Sequence, residues 1–335
     1  MTQASAAAVD RTRLSLHWAI LAALIIGGTL SGLAHSGARQ LSENEAYRVL
    51  AVTPDETFAT LAERYLGDAD EAWRLAELNP TIDKRGPRVI VLPKRWHNPT
   101  GISAQRQQRV PILTYHRFGP RASPLMVTPE RFAAQLTYLR DEGYHVVPLA
   151  KLRRYLAGEG GLPQRAVVIT IDDGYQSTYK HAYPALKAFG FPATVFVYTD
   201  FANRGGLKTA QMLEMLNSGL IDIQSHSKSH ANLTQLLEAE TSAEYQQRLQ
   251  QEIAAPKAKL ERLIQRPVYA FAYPYGAASD AVVSQTSASD HALGLTVTRG
   301  SNPFYQHPQL LRRSMVFGSH DLAAFARMLK TESDH

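Results

Sequence analysis

Two carboxylates stand side by side in "VVITIDDGYQS" (residues 167–177), where a run of branched apolar residues ends in Asp172, Asp173 and Gly174. Neighbouring strand residues point to opposite faces. Both acids therefore serve one site only if the chain bends there, and Gly174 offers the freedom for the bend. A cation beside the pair would offset their repulsion and keep both ionised. A second segment, "LIDIQSHSKSH" (220–230), carries His226 and His230 at i and i+4. That spacing places both imidazoles on one face if the segment makes a helical turn. Two histidines and one carboxylate form a set that leaves coordination positions open for water and substrate. Each part has a plainer reading: the acids cap the next helix, and the histidines are exposed loop residues. Side by side in one chain, they favour the ion.

The elements that must position these groups can be read from the apolar pattern. From Arg109 onward strands alternate with helices: "VPILTYH", a helix over Pro129–Glu142, "YHVVPL", a short helix, then "AVVITIDDG". There follow a helix over Gln176–Phe189, "ATVFVY", a helix over Thr209–Ser218, "LIDIQSH", and a long polar helix from Ala239 to Ile264. "VYAFAYPYG", a helix near Asp280–Ser289 and "LGLTVTR" complete the series. Repeated βα units with continuous apolar strands predict an α/β fold, a parallel sheet covered by helices and closed into a barrel, complete or not. Such folds place their chemistry at the carboxyl ends of the strands. Four strand ends here carry unusual residues: His116-Arg117-Phe118, Asp172-Asp173-Gly174, Ser225–His230 and Pro274-Tyr275-Gly276.

The chain of 335 residues has room for one large domain and a smaller one. Its zero cysteines exclude disulfides and thiolate metal sites and fit an exported protein. No basic stripe interleaved with aromatics accompanies the net charge of +6, so nucleic acid is not an expected partner. A modestly basic surface suits an anionic envelope. Arg11 and Arg13 precede an apolar stretch, Leu16–Ala34, that nearly spans a hydrocarbon layer of ~30 Å. The basic side keeps residues 1–15 in the cytoplasm and sends the remainder outward. The small residues of "AHSGA" also offer a signal-peptidase site. Read as an inner-membrane anchor or as a cleaved signal, the segment puts the working part in the periplasm or outside the cell.

Residues 47–93 read strand, helix, helix, strand: Tyr47–Val52, Thr57–Leu66, about Asp70–Leu78, then Val89–Leu92 before Pro93. Phe58, Leu61, Ala62 and Tyr65 recur at helical spacing, Gly67 stops the first helix and Asn79-Pro80 breaks the second. Through "ETFATLAERY" and "WRLAELNP" this unit resembles a LysM module, a fold that binds N-acetylglucosamine polymers. Residues 94–108 look like a polar linker.

"TIDDG", "SHSKSH" and "YPYG", in that order, resemble the first three motifs of the polysaccharide deacetylases, the NodB-like carbohydrate esterase family 4, over residues 109–325. The resemblance implies a distorted (β/α) barrel that hydrolyses N-acetyl groups from a sugar polymer. It assigns Asp172 as general base and Asp173, His226 and His230 as ligands of a divalent metal, zinc in first place with nickel or cobalt as alternatives. Tyr275 would supply a backbone N–H to the oxyanion, and Tyr273 and Pro274 would contact substrate. In chemical terms, a bound cation acidifies water and a nearby carboxylate takes its proton. Two departures stand out. The usual Leu-x-His near the C-terminus is missing, with His320 in a different context, and Ala272 stands where an arginine normally pairs with the base. Both departures resemble the branch that deacetylates poly-β-1,6-N-acetylglucosamine, whose acid comes from an early motif; "TYHRF" fits it and makes His116 the general acid. Arg312 and Arg313 are candidates for the absent arginine, and neither is counted among the site residues. The expected partner is an N-acetylglucosamine-containing polysaccharide, with peptidoglycan deacetylation and non-catalytic glycan binding as alternatives.

Overall fold

The computed structural model describes residues 38–80, 88–95, 98–103, 106–330 and 332–334. The apolar stretch 16–34 lies outside them. Among the described residues no helix is long and apolar enough to cross a membrane. The chain divides into two units, Met1–Lys94 and Arg95–His335.

In the first unit three antiparallel strands, β1 (Arg39–Glu43), β2 (Tyr47–Val52) and β3 (Arg88–Pro93), form a sheet in the order β1-β2-β3. The unit thus begins before residue 47, because β1 supplies an additional edge partner for β2. The first helix, Phe58–Leu66, starts where the Thr57 side chain accepts from Thr60 N–H, and it ends at Gly67 in the left-handed conformation (φ 80°). A 3₁₀ turn, Ala69–Glu71, leads into the second helix, Ala72–Leu78. Leu50, Leu61, Ala62, Leu75, Ile90 and Leu92 form its core. Asn79 pins the helix end to β3, accepting from Val91 N–H at 2.7 Å and donating to Val91 O at 2.8 Å.

In the second unit β4 (Arg106–Tyr115) is the longest strand, and it begins inside the stretch read as a linker. Gln107 and Gln108 are buried there and pair with β15 (Glu332–Asp334). The strands β5 (Arg117–Phe118), β6 (Met126–Val127) and β7 (His145–Val146) are short accessories. The main sheet runs β12 (Leu293–Leu295), β11 (Ala270–Ala272), β10 (Ile221–Ser225), β9 (Ala193–Val197), β8 (Ala166–Ile171) and β4, all parallel, with β13 (Ser301–Pro303) antiparallel at the end. The sheet curls until one segment reaches both of its sides. Leu311 bridges Leu295 of β12, and β14 (Ser314–Met315) pairs with Leu113–Thr114 of β4. This is a curled, incompletely closed (β/α) sheet: the apolar pattern predicts its parallel strands and covering helices, and the family resemblance implies its distortion.

Strand alternation sorts the core into two layers. Leu113, Tyr115, Ile169, Ile171, Val195, Val197 and Ile223 face Phe132, Leu136, Leu186 and Met212 of the covering helices. Ile112, Val168, Phe196, Ala270, Ala272, Leu295 and Leu311 fill the concave side. Each fully buried branched side chain contributes roughly 1.5–3 kcal/mol. A strand end in such surroundings can bear the several kcal/mol per ion that burying a charged pair costs. The covering helices are capped at Thr128, Thr241 and Ser279, so the long helix starts at Ser242, three residues after its reading. Another differs from its reading: after the acid pair the chain makes a π-helical turn, Thr178–Ala182, before the α-helix Tyr183–Phe189.

Candidate active site

The parity of β8 puts Val168, Thr170 and Asp172 on the concave side, and continued extension would send Asp173 to the helical side. The bend is made by Asp173 itself, with φ 73°, followed by Gly174 at φ 68°. Gly174 is needed as much for space as for freedom, since a Cβ there would sit 2.6 Å from Val197 Cγ1. The consecutive left-handed residues return the Asp173 carboxylate to the face that Asp172 already occupies.

His226 and His230 are brought together by a different route from the one their spacing suggests. Residues 226–230 form no helical turn. His226 sits just past the end of β10, its N–H donating to Val197 O at 2.9 Å. Ser227 (φ 74°) and His230 (φ 64°) both adopt the left-handed region, and His230 N–H donates to Ser227 Oγ at 2.8 Å. Two reversals in four residues do what one helical turn would have done.

Asp173 Oδ1 lies 3.5 Å from His226 Nε2 and 3.4 Å from His230 Nε2. Donors about 2.1 Å from an ion at tetrahedral angles stand about 3.4 Å apart, so these separations fit a shared cation. Asp173 Oδ1 is buried and has no hydrogen-bond partner, as an acceptor reserved for a metal would be. His226 Nδ1 contacts Ala272 O at 2.7 Å, and donation to that carbonyl leaves Nε2 bare toward Asp173. Burial opposes charge on His226, yet Asp173 and Asp172 outweigh it and raise its pKa. The carboxylates thus call for positive charge at this point, as a proton or as a cation. At His230, burial and the neighbouring His226 lower the pKa and favour the neutral, ligating form. The three residues fit a divalent metal.

Asp172 is held differently. Arg313, fully buried, donates from Nη1 to Oδ1 at 2.7 Å and from Nη2 to Oδ2 at 2.8 Å, a two-pronged pair. The guanidinium is itself fixed by Nε donating to Thr296 O at 2.8 Å and Nη1 to Thr170 Oγ1 at 3.3 Å. Burial alone would raise the Asp172 pKa, but Arg313 prevails and brings it down to about 2. The arginine absent at position 272 is thus supplied from 313, on the segment that spans the two sides of the sheet. The sequence names Arg312 and Arg313 as candidates without choosing; Arg313 points into the site, whereas Arg312 is exposed.

His116 follows the end of β4, directly beside β8, where Asp172 N–H donates to Tyr115 O at 2.8 Å. Burial lowers its pKa against the pull of Asp172 and Asp173, and its Nδ1 is buried without a partner. Tyr275, with φ 60°, lies on the 3₁₀ turn Pro274–Gly276; its exposed ring meets that of His230 edge-on at 4.7 Å. Pro274 is buried at the start of that turn. Tyr273 is a correction. It is fully buried, packs with Phe271, Leu249 and Ile253 against the long helix and donates to Gln309 O at 2.9 Å, so it is a packing residue and no substrate contact. Strand parity explains this, since Phe271 and Tyr273 share the helical side while Ala270 and Ala272 share the concave one. Tyr198, 5.4 Å from the His230 ring and stacked on Phe201 at 5.1 Å, adds an aromatic wall that the motifs do not mark.

A curled parallel sheet carries at its strand ends a candidate metal triad and a separate, arginine-held carboxylate, the parts that metal-assisted hydrolysis needs. Residues 159–294 match the family model described as polysaccharide deacetylase. Over 267 residues it is 26% identical to YxkH of Bacillus subtilis (strain 168), a protein named as a polysaccharide deacetylase, covering 78% of this chain and 92% of that one. It is 27% identical over 232 residues to the poly-beta-1,6-N-acetyl-D-glucosamine N-deacetylase of Escherichia coli (strain K12), covering 59% of this chain but 34% of that enzyme. The solved Streptococcus pyogenes deacetylase PplD, in complex with acetate, superimposes with a TM-score of 0.61 at 24% identity, over 67% of this chain and 99% of that one, a likeness of fold.

Proposed function

We propose that the protein is an exported, metal-dependent N-deacetylase of an N-acetylglucosamine polymer, acting on an exopolysaccharide. The observation that carries this reading is the meeting of Asp173, His226 and His230 around one point, with the ionised Asp172 next in the chain. The Escherichia coli relative, a poly-beta-1,6-N-acetyl-D-glucosamine N-deacetylase, supports a β-1,6-linked substrate. Export rests on the Leu16–Ala34 stretch, and the LysM-like unit would grip the polymer ahead of the catalytic domain.

Held by Asp173 Oδ1 and the two Nε2 atoms, a divalent cation, zinc in first place, would supply Lewis acidity toward water and toward the acetamide carbonyl. Asp172 takes the proton of the attacking water, and Arg313 keeps it ionised and aimed while it does so. The N–H of Tyr275 donates to the oxygen on which negative charge develops. The carbon–nitrogen bond then breaks, acetate leaves, and the amine departs with a proton. That proton comes from His116. His116 donates as the imidazolium, whose pKa burial lowers so that the proton leaves readily, and the proton taken up by Asp172 replaces it once the products have gone.

His116→Ala is expected to lower turnover by about 10²–10⁴-fold, the usual worth of a positioned acid or base, with metal content retained. Metal analysis of the purified variant beside its acetate-release rate checks this; loss of the metal would make His116 a ligand or a prop. For the substrate, acetate release is compared on β-1,6-linked N-acetylglucosamine oligomers and on purified peptidoglycan, with and without a chelator. The expected result is release from the oligomers that chelation abolishes. Release from peptidoglycan alone would transfer the activity to the cell wall, and activity that survives exhaustive chelation would overturn the mechanism.

A further inference from the structure

The loop that carries the two histidines is strained and lies against a helix that is itself interrupted. Ser227 and His230 hold left-handed backbone conformations that cost non-glycine residues about 1–3 kcal/mol each, so surrounding contacts must fix them. On one side Thr199 N–H donates to Ser227 O at 3.2 Å and Asp200 N–H to Lys228 O at 2.9 Å. On the other side stands a single residue, Glu252, in the long helix Ser242–Ile264. Its carboxylate, largely buried, accepts from Lys228 N–H at 3.2 Å and Ser229 N–H at 2.9 Å through Oε2, and from the Ser229 hydroxyl at 2.8 Å through Oε1.

The helix also offers the loop a backbone acceptor. In a regular helix the carbonyl of Glu252 would receive the N–H of residue 256, but that residue is Pro256, which has none. Lys228 N–H donates to the freed carbonyl at 3.1 Å. One helical residue thereby satisfies, by side chain and main chain together, the N–H groups of two consecutive residues between His226 and His230. A proline in the interior of a helix costs about 3 kcal/mol or more where it is not accommodated. Here the missing donor is what lets the helix hold the loop.

We propose that Glu252 and Pro256 are positioning residues that set His230 in place for metal binding. The proposal rests on the metal-site reading above. Outer contacts that orient a ligand are typically worth 10–100-fold in metal affinity. The test is zinc affinity of the chelator-stripped full-length chain, measured by competition with a chromophoric chelator, with the visible spectrum of the cobalt-loaded protein as a second readout. Glu252→Gln, which keeps the size but places an amide donor among donors, is expected to weaken zinc binding about 10–100-fold and to alter the cobalt bands. Pro256→Ala restores a helical N–H that competes for the Glu252 carbonyl. It is expected to weaken zinc binding about 3–10-fold while the metal-free melting temperature stays level or rises. That opposition separates positioning from general destabilisation, and Pro256→Ala carries the test if Glu252→Gln fails to fold. Zinc affinity within twofold of the parent in both variants would overturn the proposal and leave the metal site standing. A parent chain that binds no zinc would overturn the site reading and the proposal together.

Discussion

Replacing Arg313 with methionine is expected to lower acetate release by about 10³-fold and to destabilise the fold by about 3–5 kcal/mol. Both effects follow from one geometry. Asp172 is about as buried as a carboxylate can be, and burial by itself pushes its pKa up; the bidentate guanidinium, with His226 and His116 adding to it, brings it down to about 2. Without Arg313 the acid either stays ionised in an apolar pocket, which unfolds the strand end, or takes up a proton, which removes the base. The pH dependence has a definite sign. Because the folded pKa lies below the unfolded value near 3.8, the pair stabilises the protein fully above about pH 4, and that stabilisation disappears as the pH falls toward about 2. Acid denaturation should therefore be blunted in Asp172→Asn, which has no such proton to gain. Joining Asp172→Asn to Arg313→Met should restore part of the lost stability and none of the activity, because the two residues act as one unit. Urea titrations of the single and double variants, with acetate-release rates beside them, give the answer. Near-parental activity in Arg313→Met would remove the arginine from the account.

The second large effect is expected from His226→Ala. This imidazole combines two tasks, a candidate ligand and a support for the next strand. Nε2 faces Asp173 at 3.5 Å, and Nδ1 is 2.7 Å from Ala272 O in the strand before the Tyr275 turn. Removing it takes one of three candidate ligands and leaves a buried carbonyl unpaired, worth about 1–3 kcal/mol. The purified variant should hold less than a tenth of the parental metal, and its acetate release should fall by at least about 10³-fold. His230→Ala should show the same metal loss with less destabilisation, since His230 is less buried than His226. Parental metal content in His226→Ala would place the ion elsewhere.

What the sequence made legible was local. The acid pair, the two histidines and the Pro-Tyr-Gly turn each lie within a few residues at a strand end, where apolar alternation shows both the strand and its stop. Their meeting in space follows from the parallel order of the sheet. Arg313 was legible only as one of two adjacent arginines. Its partner lies 141 residues away, and it sits beside a strand of two residues, too short to leave a periodic pattern. Glu252 was hidden for a related reason, since in a long polar helix one more glutamate looks like solvated surface. Tyr273 was misread because a motif names consecutive residues whereas a strand sends them to alternate faces. The helical turn that would have brought His226 and His230 together is absent, because side-chain spacing alone does not tell one helical turn from two left-handed reversals. In the small unit, the pattern gave the helices and two strands but not β1, whose "RQLSE" has little apolar content.

The central claim is that a divalent ion binds between Asp173, His226 and His230. Anomalous scattering at the zinc edge, from crystals of the purified chain with its metal retained, tests it most directly. The expected result is one strong peak about 2.0–2.2 Å from Asp173 Oδ1, His226 Nε2 and His230 Nε2. A fully active protein whose crystals show no peak there, or place the ion on other ligands, would contradict the account.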